Sequence, residues 1–317
     1  MHGAFRPARG VGVGDGVGVG LAGALTRAFT DIPAPPWHEG GAWAGASVDS
    51  GEISVETGAN ARPGREWWIF RTRRSVEAAR DQGWRHARTE ISVKARPIAG
   101  DNPGMQHPLA THEWNPAGTD AGAAAPVAVL VHGITGWWRT WWRVGPALAR
   151  GGWRVIAVDL PGHGGSRPIC GIATVETLAS GVAATVDVLE IAPVDVILAH
   201  SLGAAVSMEL AYRRPELMRR LVLEDPPGQT RADDVEFQAN LEREVLAARS
   251  SQETEINREL AENPAWLEED ARQDVEGKAA CDLESILASL RANTGVRAVE
   301  LAQRLQVPAL YLLADEE

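Results

Sequence analysis

The stretch Val196-Ile197-Leu198-Ala199-His200-Ser201-Leu202-Gly203 decides the fold. It begins with an apolar run typical of a strand that is buried on both faces, and small and polar residues then interrupt that run. The residues that follow, Ala204-Ala205-Val206, favour a helix. A strand that turns this sharply into a helix pushes the residue at the turn, here Ser201, out over the carboxyl edge of a sheet.

Two further apolar runs end in glycine-containing turns. Val127–Val131 is followed by His132-Gly133-Ile134-Thr135-Gly136. Trp153–Val158 is followed by Asp159-Leu160-Pro161-Gly162-His163-Gly164-Gly165-Ser166. Like the stretch around Ser201, each run predicts a buried strand that ends in a turn.

Strands and helices alternate over most of the chain. We predict strands over Thr89–Arg96, Leu109–Trp114, Val127–Val131, Trp153–Val158, Val194–Ala199, Arg220–Leu223 and Pro308–Leu313, and helices near Trp138–Arg150, near Val175–Glu190 and from Leu202. The central strands are apolar on both faces, as a parallel sheet covered by helices requires. The pattern therefore predicts an α/β fold with a mostly parallel sheet flanked by helices.

Composition divides the chain into four parts. Residues 1–87 include a run of alternating glycines and then a proline-rich segment, so we expect a disordered extension or a start codon assigned too early. Residues 88–227 hold the α/β core, and residues 228–306 have helical periodicity only. Residues 307–317 return to a core strand.

Taken together, these motifs resemble those of the α/β-hydrolase superfamily, in particular serine hydrolases with an inserted helical cap. The resemblance covers about residues 89–317 and is strongest from 127 to 227. It implies that Ser201 is a nucleophile and that the backbone N–H groups of Ile134 and Leu202 form an oxyanion hole. It also implies that residues 228–306 are the cap. For Ser201, an ordinary helix N-cap is the alternative.

The resemblance also implies an acid and a histidine base. The acid follows either the last strand, where Asp315 is the favoured candidate, or the preceding strand, which offers Asp225. All eight histidines of the chain precede Ser201, whereas the family places the base after one more strand. We therefore expect a C-terminally incomplete chain, with a truncated and catalytically inactive protein as the alternative.

Aromatic and histidine side chains surround the expected site. Trp137 and Trp138 belong to a tryptophan-rich segment that either packs against the sheet or cap or lines an apolar acyl pocket. With His200, which precedes the nucleophile, they are the candidate substrate-binding residues. The resemblance gives His132 and His163 structural roles.

Composition excludes several classes of function. The net charge is −11, and the part from residue 227 onward carries 9 basic and 20 acidic side chains, which argues against nucleic acid as a partner. No apolar run is long enough for a membrane span. The sequence has no P-loop, dinucleotide fingerprint or metal-binding histidine spacing, so no cofactor or metal is expected. Two distant cysteines predict no disulfide and favour a reducing, cytoplasmic location.

These observations predict a hydrolase that acts on a small molecule. Ser201 would cleave an ester, a lactone or a carbon–carbon bond next to a carbonyl by nucleophilic acyl transfer. The alternatives are a non-catalytic binding protein that uses the same pocket and a cofactor-free acyltransferase or haloperoxidase. The oligomeric state is left open.

Overall fold

The computed structural model describes residues 53–59, 66–72, 108–116, 125–168, 173–227, 235–293 and 298–313. The predicted strand over Thr89–Arg96 and the candidate acid Asp315 lie outside these ranges, as does Cys170, one of the two cysteines of the chain. The described residues are sufficient to trace the sheet, the turn at Ser201 and most of the segment between the last two strands.

Eight strands form one sheet. They are β1 (Ile53–Ala59), β2 (Glu66–Thr72), β3 (Thr111–Trp114), β4 (Val127–Val131), β5 (Arg154–Val158), β6 (Val196–His200), β7 (Leu221–Glu224) and β8 (Ala309–Leu313). Their order is β1-β2-β8-β7-β6-β4-β5-β3, with β1 antiparallel to β2, β3 antiparallel to β5, and all other pairs parallel. The predicted mostly parallel α/β sheet is therefore confirmed.

Helices connect the strands and cover both faces of the sheet. They are α1 (Val144–Arg150), α2 (Val175–Val188), α3 (Leu202–Arg213), α4 (Val235–Ser250), α5 (Gln252–Glu262), α6 (Glu268–Ala280), α7 (Leu283–Ala292) and α8 (Ala298–Arg304), with short 3-10 helices at Trp138–Trp141 and Pro215–Leu217. Within the described ranges, no helix combines the length and the apolar character needed to cross a membrane.

The core lies on both faces of the sheet because successive side chains of a strand point to opposite sides. In β6, Ile197 and Ala199 pack in the cluster that includes α2 and α3, whereas Val196 and Leu198 pack in the cluster that includes α1. All four side chains are buried. This two-sided burial explains why β6 is a continuous apolar run instead of an alternating one.

The segment between β7 and β8 contains only helices in its described residues. We call α4 to α7 (residues 235–292) the helical insertion. Helix α8, which the sequence led us to group with these helices, instead packs Leu301 and nearby Leu305 into the core cluster that includes α3. The last helix before β8 therefore belongs to the core.

The N-terminal region differs from the sequence expectation. For residues 1–87 the sequence predicts a disordered extension or a start codon assigned too early, but Ile53–Ala59 and Glu66–Thr72 form strands β1 and β2. Strand β2 pairs in parallel with β8 and extends the sheet beyond it. The glycine-rich composition of the first residues does not hold as far as residue 87. Trp67-Trp68-Ile69-Phe70 is an aromatic and β-branched run, and such a run favours a strand.

Candidate active site

The connection from β6 to α3 has a strained backbone at Ser201. This residue has φ 47° and ψ −115°, a backbone conformation that residues other than glycine seldom adopt. Strain of this kind costs about 1–3 kcal/mol and persists only where the surrounding structure holds it. One such restraint is the hydrogen bond from the Ser201 N–H to the Glu224 carbonyl at the end of β7, at 2.9 Å.

Helix α3 starts almost in contact with the end of β4. A methyl group added at Gly203 would lie 2.4 Å from the Val131 carbonyl oxygen and 2.5 Å from that of His132. Since both neighbours are backbone atoms, a larger residue would force the helix or the strand to move. Glycine at this position therefore allows the turn that presents Ser201 at the edge of the sheet.

The Ser201 side chain does not act as a helix cap. Although Ser201 occupies the N-cap position of α3, its side chain makes no capping hydrogen bond. Thr174 and Ser251, in contrast, cap their helices by accepting hydrogen bonds from backbone N–H groups. A side-chain N-cap, the alternative role, therefore does not account for Ser201.

The turn after β4 lies directly beside Ser201. A methyl group at Gly133 would come within 3.2 Å of the Ser201 Cβ and 2.7 Å of the His200 Nδ1. We call residues 132–136 the oxyanion loop, after their expected role. Among the described residues, neither the Ile134 N–H nor the Leu202 N–H donates a hydrogen bond, so both predicted donors remain available to a ligand at Ser201.

Buried histidines hold the inner side of the oxyanion loop. His163 Nε2 accepts a hydrogen bond from the Thr135 N–H at 3.2 Å, and His132 Nε2 accepts one from the Leu160 N–H at 2.9 Å. In each ring Nδ1 lies within hydrogen-bond distance of a backbone carbonyl, that of Gly133 for His132 and that of Pro161 for His163. These contacts match the structural roles that the resemblance implied.

Burial keeps the histidines of this region neutral. It lowers the pKa of His163 and of His200 to about 4, and it holds the pKa of His132 well below its ordinary value. The rings of His132 and His163, with both nitrogens engaged, cannot take up a proton from a nucleophile. Within the described ranges, no histidine hydrogen bonds to the Ser201 hydroxyl, and no group of His, Cys, Asp or Glu side chains is arranged to hold a metal.

Asp159 organises the turn after β5. Its carboxylate accepts hydrogen bonds from the Trp138 N–H at 2.6 Å and the Gly165 N–H at 2.8 Å. Burial raises the pKa of Asp159 to about 6, while the two hydrogen bonds lower it. Asp159 thereby connects the β5 turn to the segment after the oxyanion loop.

Two carboxylates follow each other at the end of β7. Asp225, one of the two predicted acids, has φ 41° and donates its N–H to the Leu312 carbonyl of β8 at 2.8 Å. Loss of solvent around its side chain raises the pKa of Asp225. Because β7 lies next to β6 and the Ser201 N–H bonds to Glu224, Asp225 stands at the same sheet edge as Ser201.

Glu224 is a half-buried acid that the sequence analysis does not single out. Its Oε2 atom is buried and has no hydrogen-bond partner in the described part of the chain. Burial, together with the charge of Asp225, raises the pKa of Glu224 to about 7. Glu224 and His200 are register partners in adjacent parallel strands, so their side chains leave the sheet on the same face. The only signal in the sequence was an acid directly after Leu221-Val222-Leu223.

The tryptophans of the candidate site are engaged in packing contacts. The Trp137 indole donates to the Gln273 carbonyl of α6 at 2.9 Å, and the guanidinium of Arg139 lies over its ring. Trp138 stacks on His112 with ring centroids 3.8 Å apart. These contacts favour packing against the sheet and the helical insertion, the first of the two roles that the sequence left open.

A cleft of 390 Å³ opens between the β5 turn and the helical insertion. It is lined by Pro161, Pro168, Ala173, Asp282, Glu284, Ser285 and Ala288. None of these residues is a predicted site residue. Two carboxylates, Asp282 and Glu284, lie in its walls, which is unlike an apolar acyl pocket.

The close approach at Gly203 predicts a large effect of one methyl group. We expect Gly203→Ala to lower the free energy of unfolding by at least about 2 kcal/mol, because backbone atoms must separate to admit it. Gly152→Ala is the control: Gly152 has φ 89° but nothing within 4 Å, so only backbone strain of about 1 kcal/mol is expected. Urea unfolding at pH 7 measures both, and equal destabilisation would contradict the prediction.

The raised pKa of Glu224 predicts a pH-dependent stability. Between its unfolded value near 4.5 and its folded value of about 7, the folded state binds more protons, so the free energy of unfolding falls as pH rises. Above pH 7 the penalty reaches up to about 3 kcal/mol. Glu224→Gln should remove the contribution of Glu224 to this pH dependence and leave that of Asp159, whose pKa burial raises to about 6. The exposed Glu242→Gln should change neither contribution. Urea unfolding from pH 4 to 8 tests it, and parallel curves for wild type and Glu224→Gln would refute it.

Comparisons with known proteins agree with this geometry. The family model described as the alpha/beta hydrolase fold matches residues 126–294, more than half of the 317 residues. The lipase LipV of Mycobacterium tuberculosis is 40% identical over 106 residues, which are 33% of this chain and 39% of the lipase. The 2-hydroxy-6-oxo-2,4-heptadienoate hydrolase of Pseudomonas putida is 43% identical over 111 residues, 33% of this chain and 38% of that enzyme.

The chain spans less than half the length of the curated relatives that it matches. Among solved structures, the enol-lactonase from Burkholderia xenovorans has a TM-score of 0.51 at 20% identity, over 64% of this chain and 76% of that one. At this identity the likeness concerns the fold alone. With the parallel sheet and the strained turn at Ser201, the family match shows that the chain belongs to the α/β-hydrolase fold family.

Proposed function

We propose that the protein is a serine hydrolase that cleaves a carbonyl-containing small molecule by acyl transfer. The observation that carries this proposal is the strained Ser201, which lies beside the oxyanion loop and near two N–H groups without hydrogen bonds to described residues. A backbone conformation this costly is typical of functional sites, where it aims a reactive group. The hydrolase names of the relatives support the same class of reaction.

The proposed reaction has two halves. The Ser201 Oγ attacks the carbonyl carbon, its proton passes to a base, and the carbonyl oxygen becomes an oxyanion that accepts hydrogen bonds from the Ile134 and Leu202 N–H groups. Collapse of this intermediate breaks the bond to the leaving group, which takes the proton. Water then attacks the acyl-serine in the same way and releases the acid.

The acid and the base of the proposed mechanism differ in their structural support. Asp225 ends the strand next to the nucleophile strand and can orient a histidine brought to this edge. Asp315, the acid favoured from sequence, lies outside the described residues. We place the base outside the described residues as well. His132 and His163 are engaged in backbone contacts, His112 stacks on Trp138, and burial lowers the pKa of His200 to about 4.

We further propose that the helical insertion is the cap of this enzyme and shapes its substrate pocket. Esters, lactones and carbon–carbon bonds next to a carbonyl all suit the proposed chemistry, and the pocket decides among them. No cofactor is part of the proposal. A cytoplasmic location is consistent with Cys281, a free thiol that is buried in the insertion.

A non-catalytic binding protein is the second candidate. The observation that favours it is the absence, within the described ranges, of a histidine bonded to Ser201. An acyltransferase or haloperoxidase would share the nucleophile and differ only in the molecule that accepts the acyl group.

A fluorophosphonate probe separates the enzyme from the binding protein. We expect the folded chain to be labelled at Ser201, because the probe forms an oxyanion-like adduct that the same N–H groups stabilise. Exogenous imidazole should speed labelling by supplying a base. Even without a triad histidine, an oxyanion hole and substrate binding sustain catalysis about 10³–10⁴-fold above water.

Matched serine variants control the labelling experiment. Ser201→Ala should abolish labelling, whereas Ser180→Ala, which removes an exposed helical hydroxyl of α2, should leave it unchanged. Peptide mass spectrometry locates the adduct. A folded chain that stays unlabelled with imidazole present, or that is labelled equally in Ser201→Ala, would refute the serine-hydrolase proposal and favour the binding protein.

A further inference from the structure

The outer side of the oxyanion loop rests on helix α6 of the insertion. A methyl group added at Gly277 would lie 2.8 Å from the Thr135 carbonyl oxygen and 3.0 Å from the Trp137 ring. Helix and loop are thus in direct backbone contact at the residue that follows Ile134. Any displacement of α6 toward the core would push on this carbonyl.

Polar contacts extend this interface along the segment after the loop. Besides the indole of Trp137, the Arg139 guanidinium binds α6, pairing with Glu276 at 2.7 Å and with Glu269. These side chains are about one quarter to one third exposed, so solvent weakens each ion pair. Their alignment along one helix nevertheless fixes the orientation of the segment relative to α6.

Asp270 is the most buried polar residue of the interface. Its side chain is 3% exposed and accepts hydrogen bonds from the Trp142 indole at 3.0 Å, from Arg143 and from the Leu267 N–H at 2.8 Å. One carboxylate therefore holds both the start of α6 and the end of the tryptophan-rich segment. Removing it would leave buried donors without partners, which costs more than the loss of an exposed pair.

The side chain of Ile134 is anchored in the insertion as well. It packs against the buried cluster of Leu241, Val245, Cys281 and Ile286. Its backbone N–H belongs to the proposed oxyanion hole, so the same residue has its side chain in the insertion and its N–H at the site. The core fixes the loop from one side through His163, and the insertion fixes it from the other.

We propose that α6 positions the oxyanion loop, with Asp270 and Gly277 as positioning residues that set the direction of the Ile134 N–H. This inference rests on the proposed function, which assigns that N–H to the oxyanion. Its consequence is that docking of the insertion and assembly of the oxyanion hole are one event. An insertion lifted from the core would leave Ser201 in place and its oxyanion hole incomplete.

Amide hydrogen exchange tests this coupling without requiring turnover. The Thr135 N–H donates to His163 Nε2, the Gly136 N–H donates to the Gly133 carbonyl, and the Trp138 N–H, just after the loop, donates to Asp159. Exchange of these three amides therefore reports on the order of the loop and of the segment that follows it. In Asp270→Ala and in Gly277→Ala we expect these amides to exchange at least about tenfold faster, because local opening becomes easier. Amides of β6 should keep their wild-type rates.

Arg272→Ala is the matched control for the exchange experiment. Arg272 lies on the same helix, its side chain is 40% exposed, and it pairs with Glu268 and, at 4.0 Å, with Glu269 on its own helix instead of with the loop. It should leave loop exchange unchanged. If the loop amides exchange at the wild-type rate in both Asp270→Ala and Gly277→Ala, the proposal is overturned. If the amides of the loop and of β6 exchange faster by the same factor, the proposal is also overturned, since α6 would then stabilise the fold in general.

The rate of fluorophosphonate labelling is the second readout. Asp270→Ala and Gly277→Ala should lower it at least about tenfold, the range expected when an oxyanion donor is misplaced, with Arg272→Ala at the wild-type rate. If the wild-type chain is not labelled at all, the proposed function fails, while the exchange result still decides whether α6 orders the loop. Faster loop exchange with unchanged labelling would contradict the role of α6 in the oxyanion hole.

Discussion

The contact between the first turn of α3 and the end of β4 is the constraint on which the candidate site depends. Gly203 lies against two backbone carbonyls, and this proximity forces the chain to turn at Ser201 in a conformation that costs free energy. The apolar strands on either side supply the stabilisation that holds the turn. The side chains of these strands are buried on both faces of the sheet, so the serine lies at the carboxyl edge.

The oxyanion loop connects this rigid edge to the rest of the molecule. On its inner side, His163 accepts a hydrogen bond from the Thr135 N–H, and burial keeps this histidine uncharged. Asp159 binds the Trp138 N–H just after the loop. On its outer side, α6 touches the Thr135 carbonyl. The loop is therefore in contact with both the core and the insertion. The tryptophans that follow it lie between the two, so they make packing contacts and do not line an open pocket.

Much of this arrangement could be predicted from local sequence patterns. The periodicity of the strands, the glycine turns and the small residues after Ser201 indicated the parallel sheet and the sharp turn at Ser201, because these features follow from backbone sterics. Glu224 and the Gly277–Thr135 contact could not be predicted, since they depend on which elements meet in three dimensions. Strand β2 was missed because the glycine-rich start of the chain outweighed the short run Trp67-Trp68-Ile69-Phe70, which favours a strand. Asp225 remains a prediction for the acid, and Asp315 lies beyond the described residues.

A crystal structure of the chain after reaction with a fluorophosphonate tests the central claim most directly. The account predicts a phosphorus atom bonded to the Ser201 Oγ, with its oxygen about 3 Å from the N–H nitrogens of both Ile134 and Leu202. An adduct on another residue, or a phosphoryl oxygen that points away from both N–H groups, would contradict it.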